Sequence, residues 1–347
     1  MENTNENITA TATDEMIVGL IAKKLGLRER QVAGTVNLLK GGATIPFISR
    51  YRKETTGGLN EVQIAEINDS CEKLEELVHR REYILNTIEE QGKLTPELRQ
   101  RIAGCWDVDL LEDLYLPYKP KRKTRAEAAR KKGLQPLADS LLKRPYDNPE
   151  RTARQFLNDE VPDVEAALSG ARDIIAEHVN EDEQARQSVR RSYQLTAVVR
   201  SKVVKGKEEE GAKFRDYFDW QEPLRRCSSH RMLAMLRGEA EGFLKVSILP
   251  ADDDDCRSRV ARRFVRPGSA AAQQVELAVA DAYKRLLRPS IETEFAALGK
   301  QKADEEAIRV FAENLRQLLL AAPLGEKRII GIDPGYRTGC KVVCLDN

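Results

Sequence analysis

No run of roughly 18 or more apolar residues occurs in the chain, so no segment reads as a membrane-spanning helix. The longest tempting stretch, Leu318 to Leu324, is far too short. Histidine is scarce, with only His79, His178 and His230 present. The cysteines, Cys71, Cys105, Cys227, Cys256, Cys340 and Cys344, form no C-x-x-C pair, and no His/Cys group has zinc spacing. No resident metal and no other cofactor are therefore expected. No secretory signal opens the sequence, so reduced thiols and a cytoplasmic location are expected, without membrane contact. Aromatic residues make up 5%, which argues against an aromatic stacking platform as the main binding device.

Charge is abundant. Charged residues are 33% of the chain, against about 25% in an ordinary globular protein. Lysine plus arginine number 57 and aspartate plus glutamate 56, a formal net charge of +1. That near-zero sum excludes a uniformly basic coat and an acidic disordered tail, but not local patches, because binding is local. Apolar residues, at 41%, suffice for a core, and 347 residues suggest about two domains.

Residues 1–13 are polar and aperiodic and are expected to lack structure. Asp14 is a plausible helix cap, and Ile17, Leu20, Ile21 and Leu25 then share one helical face until Gly26. Gln31 to Leu39 continues as a second helix. Asn60, with Gln63 in the reach-back position, predicts a capping box before a long helix to about Gln91. Along it Ile67, Cys71, Leu74, Val78, Arg81, Leu85 and Ile88 step alternately by four and three. That seam predicts a core or antiparallel helix rather than a dimeric coiled coil, and hence a monomer. Thr95-Pro96 and Asn148-Pro149 each predict a helix start. Helices are also expected over Asp163–Val179, Asp182 to about Val199, Ser269–Leu287 and Ile291–Leu320, the last two separated by Pro289. Phe243 to Leu249 reads as a short strand. The body is thus mainly α, an elongated multi-helix scaffold. At the end, Arg328 to Asp333 and Cys340 to Leu345 read as two strands joined by a glycine turn.

The densest basic segment runs from Lys119 to Lys132. It holds Lys119, Lys121, Arg122, Lys123, Arg125, Arg130, Lys131 and Lys132 against a single acid, Glu127. Such a cluster can neutralise phosphates and release counterions without reading sequence. Tyr115 and Tyr118 flank it and could stack on bases. A solvated helix start is the plainer alternative. Arg257, Arg259, Arg262, Arg263 and Arg266 follow four aspartates, 252–255, and read as a helix with internal pairing. Ile21 to Val32 fits helix-turn-helix spacing, as does any two-helix corner with a glycine. Gly41 to Glu54 combines glycines, a proline and an aromatic with Arg50, Arg52 and Lys53, and reads as a rigid loop presenting basic and aromatic groups. No G-K-[ST] follows, so it is not a P-loop. Ser229 and His230 open a helix and do not face each other, so no hydrolase is expected there. Gly331-Ile-Asp333-Pro-Gly335 places one acid on a strand. Two-metal phosphodiester cleavage needs several converging carboxylates, so Asp333 alone does not suffice and no enzyme is expected.

The runs 41–54, Leu116 to Arg125, Ser229 to Glu239 and Arg328 to Gly339 closely resemble the bacterial Tex proteins, which are transcription accessory factors. The resemblance covers the chain from about Thr13. It implies a Tex-like N-terminal helical domain over 14–200, a central helical region over 201–325, and over 326–347 the start of an RNase H-like domain of the YqgF type. Helix-hairpin-helix modules and an OB-fold RNA-binding domain are expected to follow in such proteins, so the sequence looks like the N-terminal part of one. The function implied is a non-enzymatic scaffold that contacts RNA or DNA backbones through basic patches, or docks RNA polymerase or other transcription proteins. The alternatives are a resolvase-type nuclease resting on Asp333 and a protein-docking scaffold without nucleic-acid contact.

Overall fold

The computed structural model describes residues 2–121, 123–323, 325–335 and 339–346, with side chains from Thr13 onward. It divides into two compact units. The first comprises 1–124 with Glu181–Glu183, and the second Arg125–Asn180 with 184–347.

The first unit is helical throughout. Its elements are α1 (Glu2–Leu25), α2 (Glu29–Lys40), α3 (Ile45–Tyr51), α4 (Lys53–Thr56), α5 (Glu61–Glu90), α6 (Pro96–Ala103) and α7 (Val108–Tyr115). Helix α1 begins at Glu2, not at Asp14 as the polar composition suggested. No proline or glycine interrupts 2–13, and Ala10 and Ala12 favour helix. Asp14 does not cap; its carboxylate pairs with Lys40 Nζ at 2.9 Å. Gly26 ends α1 at φ 66°. The expected loop over 41–54 is helical from Ile45 onward, apart from Arg52 between α3 and α4. Gly42, at φ 82°, breaks the chain after α2, and Pro46 sits in the first turn of α3, where its missing N–H costs nothing.

Asn60 and Gln63 form the reciprocal capping box of α5. Ile64, Ile67 and Cys71 pack with Ile17, Ile21, Val32 and Ile48 in one core, and Leu77, Ile84 and Ile88 with Ile102, Leu111 and Tyr115 in another. Arg81, the polar member of the seam, lies over the Trp106 ring at 4.7 Å and donates to the Ala103 carbonyl at 2.7 Å.

The second unit contains α8 (Arg125–Lys131), α9 (Gln135–Lys143), α10 (Pro149–Ala153), α11 (Val164–Glu181) and α12 (Glu183–Thr196), the last residue of α11 and first of α12 belonging to the first unit. There follow β1 (Ala197–Val203), β2 (Asp219–Pro223), α13 (Ser229–Ala240), β3 (Leu244–Pro250), α14 (Asp253–Phe264), α15 (Ala272–Ala282), α16 (Arg288–Leu319), β4 (Ile329–Pro334) and β5 (Cys340–Leu345). Helix α12 stops at Thr196 rather than near Val199, and β1 and β2 were not foreseen. The β-branched run around Val198 and Val199 prefers the pleated conformation once β3 offers a partner. Strands β2, β1 and β3 form an antiparallel sheet in that order, with Val199 opposite Glu222 and Ile248. The outer edge of β3 is closed by side chains: Glu239 accepts from Val246 N at 2.9 Å and Glu292 from Ile248 N at 3.0 Å. Pro289 does not separate two helices. A π-helical segment, Tyr283–Leu287, carries α15 into α16, and Pro289 occupies its first turn. The terminal hairpin pairs Ile330 with Cys344 and Ile332 with Val342.

In α2, Gly34 lets the α4 backbone approach. A Cβ there would lie 2.7 Å from the Thr55 carbonyl oxygen, an atom that cannot move without its helix. Gly34→Ala is expected to destabilise the protein by about 1–3 kcal/mol, read as a lowered urea midpoint at unchanged slope.

Candidate nucleic-acid interface

The basic segment 119–132 straddles the boundary between the units, and most of its charge is already partnered. In the first unit, Lys119 Nζ donates to Glu112 Oε2 at 2.8 Å, and Lys121 Nζ lies 2.5 Å from Glu181 Oε1. Arg122 lies outside the described residues. Lys123 is exposed without an acid partner. In the second unit, Arg130 is held by Glu177 and Gln135, and Lys131 pairs with Glu127 one turn away at 3.0 Å. Lys132 donates to the Glu160 carbonyl at 3.1 Å, and Arg125 is exposed without an ion pair. Tyr115 cannot stack on a base: it is buried in the core, edge-on to Tyr83, and Tyr118 is half-buried beside it. Of the arginines after the aspartates, Arg257 pairs with Asp254 and Arg259 with Asp255 as expected, while Arg263 donates to the Gln184 amide oxygen and Asp252 caps the helix. Ser228 occupies the cap position of α13 without capping it; its Oγ lies 3.4 Å from His230 Nε2.

The α3–α4 corner is different. Ile48 and Ser49 are buried and anchor α3, which leaves Arg50, Arg52 and Lys53 exposed, with no ion pair to an acid among the described residues. Phe47 and Tyr51, one helical turn apart, are 39% and 63% exposed, with ring centroids 5.4 Å apart. The Arg52 guanidinium lies over Phe47 at 5.1 Å. Gln31 fixes the corner from α2, donating through Nε2 to the Thr56 and Gly57 carbonyls, both at 3.3 Å. Cations without internal acid partners beside exposed rings are the equipment for following a phosphate chain and stacking unpaired bases. The four-residue spacing of Phe47 and Tyr51 was the signal in the sequence, legible only once the segment is known to be helical.

Asp333 is exposed in β4, opposite Lys341. Among the described residues, no three His, Cys, Asp or Glu side chains gather as a metal site, and no helix is long and apolar enough to cross a membrane. Burial, then the nearby Glu75 carboxylate, pushes the Cys71 thiol up to about 11, which disfavours the reactive thiolate.

Glu112 ties Lys119 to α5 through Arg80, whose Nε donates to it at 2.6 Å. Burial raises its carboxyl, but the hydrogen bonds from Arg80 and Lys119 outweigh this and hold it below the ordinary carboxylate range. A depressed carboxylate stabilises the fold above its unfolded pKa of about 4.3, and this is lost as pH falls through the folded value. Glu112→Gln is therefore expected to narrow the stability difference between about pH 6 and about pH 3, measured by urea unfolding at each.

Residues 15–89 match the family model for a Tex-like protein N-terminal domain, and 144–311 that for a Tex central region. The α3–α4 corner falls inside the first match, and the segment 119–132 between the two. The chain is 45% identical over 345 residues to Protein tex of Bordetella pertussis, covering 95% of this chain and 44% of that protein. It is 42% identical over 339 residues to transcriptional accessory protein Tex of Neisseria gonorrhoeae, with the same coverage of each. Human S1 RNA-binding domain-containing protein 1 is 29% identical over 348 residues, 95% of this chain and 34% of that protein. The chain thus spans less than half the length of these relatives. With both domain models matched in order, it belongs to the Tex-like family.

Proposed function

We propose that the chain is a non-enzymatic scaffold of a Tex-like, cytoplasmic transcription accessory factor that contacts single-stranded nucleic acid through the α3–α4 corner. The observation that carries this reading is the exposure of Arg50, Arg52 and Lys53 without internal acid partners, beside the exposed rings of Phe47 and Tyr51. The name of the Neisseria gonorrhoeae relative supports the transcriptional setting, and that of the human relative an association with RNA. Lys123 in the first unit and, separately, Arg125 in the second are further exposed cations; Lys119, Lys121, Arg130 and Lys131 serve the fold through their ion pairs. A helix-turn-helix role for α1 and α2, joined at the Gly26 turn, belongs to the same reading, but the cations that carry contact lie on α3, on α4 and between them. The hairpin β4–β5 fits the opening strands of an RNase H-like sheet. Ile330 and Ile332 on one face and Val343 and Leu345 on the other are exposed, as in strands meant to be covered on both sides. Docking of RNA polymerase or another transcription protein belongs to the same reading.

In a mobility-shift titration with single-stranded RNA and DNA, the triple variant Arg50→Glu, Arg52→Glu, Lys53→Glu is expected to bind more weakly. Its salt slope should fall by about two, from the loss of three phosphate contacts. Lys121→Glu, already held by Glu181, should leave the slope unchanged. Equal slopes for the triple variant and the parent would remove the corner from the interface. Incubation with magnesium should leave the strand intact; cleavage that is lost in Asp333→Asn would replace the scaffold reading with the nuclease one.

A further inference from the structure

A cavity of about 350 Å³ opens in the second unit between α12, the turn at 224–226, α13 and α16. That volume lies toward the small end of ligand sites. Its floor is apolar. Leu224 and Met232 meet the ring pair of Tyr193 and Phe295, whose centroids lie 5.1 Å apart. Gly299 keeps this space: a Cβ there would come within 3.2 Å of Met232 Cε. Leu298, 47% exposed, stands at the mouth.

The rim is polar and, among the described residues, its charges are unspent. Arg225 and Lys302 pair with no acid there, and Glu306, one helical turn from Lys302, makes no ion pair either. The Gln194 amide also lines the cavity without a hydrogen bond. Cys227 forms wall rather than nucleophile, because burial, then Glu222, pushes its thiol up to about 12.

An apolar floor built on a ring pair, beside two free cations, suits a planar ring that carries an anionic group. The carboxylate and the amide add an acceptor and a mixed donor–acceptor for a ring edge with its own N–H groups. A nucleotide has all three parts: a base face for the floor, a base edge for Glu306 and Gln194, and a phosphate for Arg225 and Lys302. We propose that this cavity binds a single nucleotide, either free or as one unstacked residue of a single strand. The site lies in the second unit and does not rest on the α3–α4 corner.

The test uses the 347-residue chain and two probes: adenosine monophosphate by calorimetry, and a 5′-phosphorylated single strand of about ten nucleotides by fluorescence anisotropy. The double variant Arg225→Ala, Lys302→Ala is expected to weaken binding by at least about tenfold, because each lost contact is charge-assisted. Lys302→Arg should retain it, and thermal unfolding should not move, since neither side chain holds the fold together. The triple variant at Arg50, Arg52 and Lys53 should bind the mononucleotide as the parent does. Loss with the free mononucleotide identifies a small-molecule site, and loss with the strand alone identifies a captured strand residue. Both support the proposal. No binding of either probe, affinity unchanged in the double variant, adenosine binding as tightly as its monophosphate, or occupancy by an acidic leucine-bearing peptide alone would overturn it.

Discussion

A guanidinium or ammonium group held by a carboxylate of its own chain cannot at the same time neutralise a phosphate. With basic and acidic side chains almost equal in number, this rule decides which cations remain for a partner. The acids at the end of α11, Glu177 and Glu181, take Arg130 and Lys121, and Glu112 takes Lys119. The densest basic run in the sequence is thereby largely committed to the fold. The sparser group on α3 and α4 faces no such acids and stays available. Surface ion pairs stabilise little singly, so their main effect here is to subtract cations from the binding surface.

Close approach between elements sets where the remaining groups stand. Gly34 brings α4 against α2, and Gln31 fastens the end of α4 through two carbonyls, which holds the basic corner on a rigid base. In the second unit Gly238 does the same for β3, since a Cβ there would lie 2.5 Å from Leu244 Cδ1. Glu239 and Glu292 close the free edge of β3, which protects the sheet from pairing with another chain. Arg190 and Glu294 join α12 to α16, with Nε to Oε1 at 2.6 Å, and so set the Tyr193–Phe295 ring pair at the cavity floor.

Much of the helical architecture was legible in the residues. The Asn60–Gln63 box, Thr95-Pro96, Asn148-Pro149 and the turn at Gly26 all act where local chemistry requires them. These signals are local: a cap needs only the three or four residues that follow it. The failures were of another kind. Residues 197–203 keep a helical neighbour on one side, and only pairing with β3 makes them a strand. The glycines and proline of 41–54 suggested a loop, although Gly42 merely ends one helix and Pro46 starts the next. The basic neighbours of Tyr115 suggest a stacking surface, yet the ring belongs to the core.

The sequence by itself determined the mainly helical class and those helix ends that carry a cap, a proline or a glycine turn, because these depend on residues near one another in the chain. Its motif runs also pointed to the Tex-like family. Tertiary structure alone decided which cations are free, because Glu177 lies 47 residues from Arg130 and no local pattern announces that pair. It also decided the three-stranded sheet and the cavity bounded by Arg225 and Lys302, which join segments distant in sequence. Charge density can be counted along a chain, but charge availability depends on what the fold brings within reach.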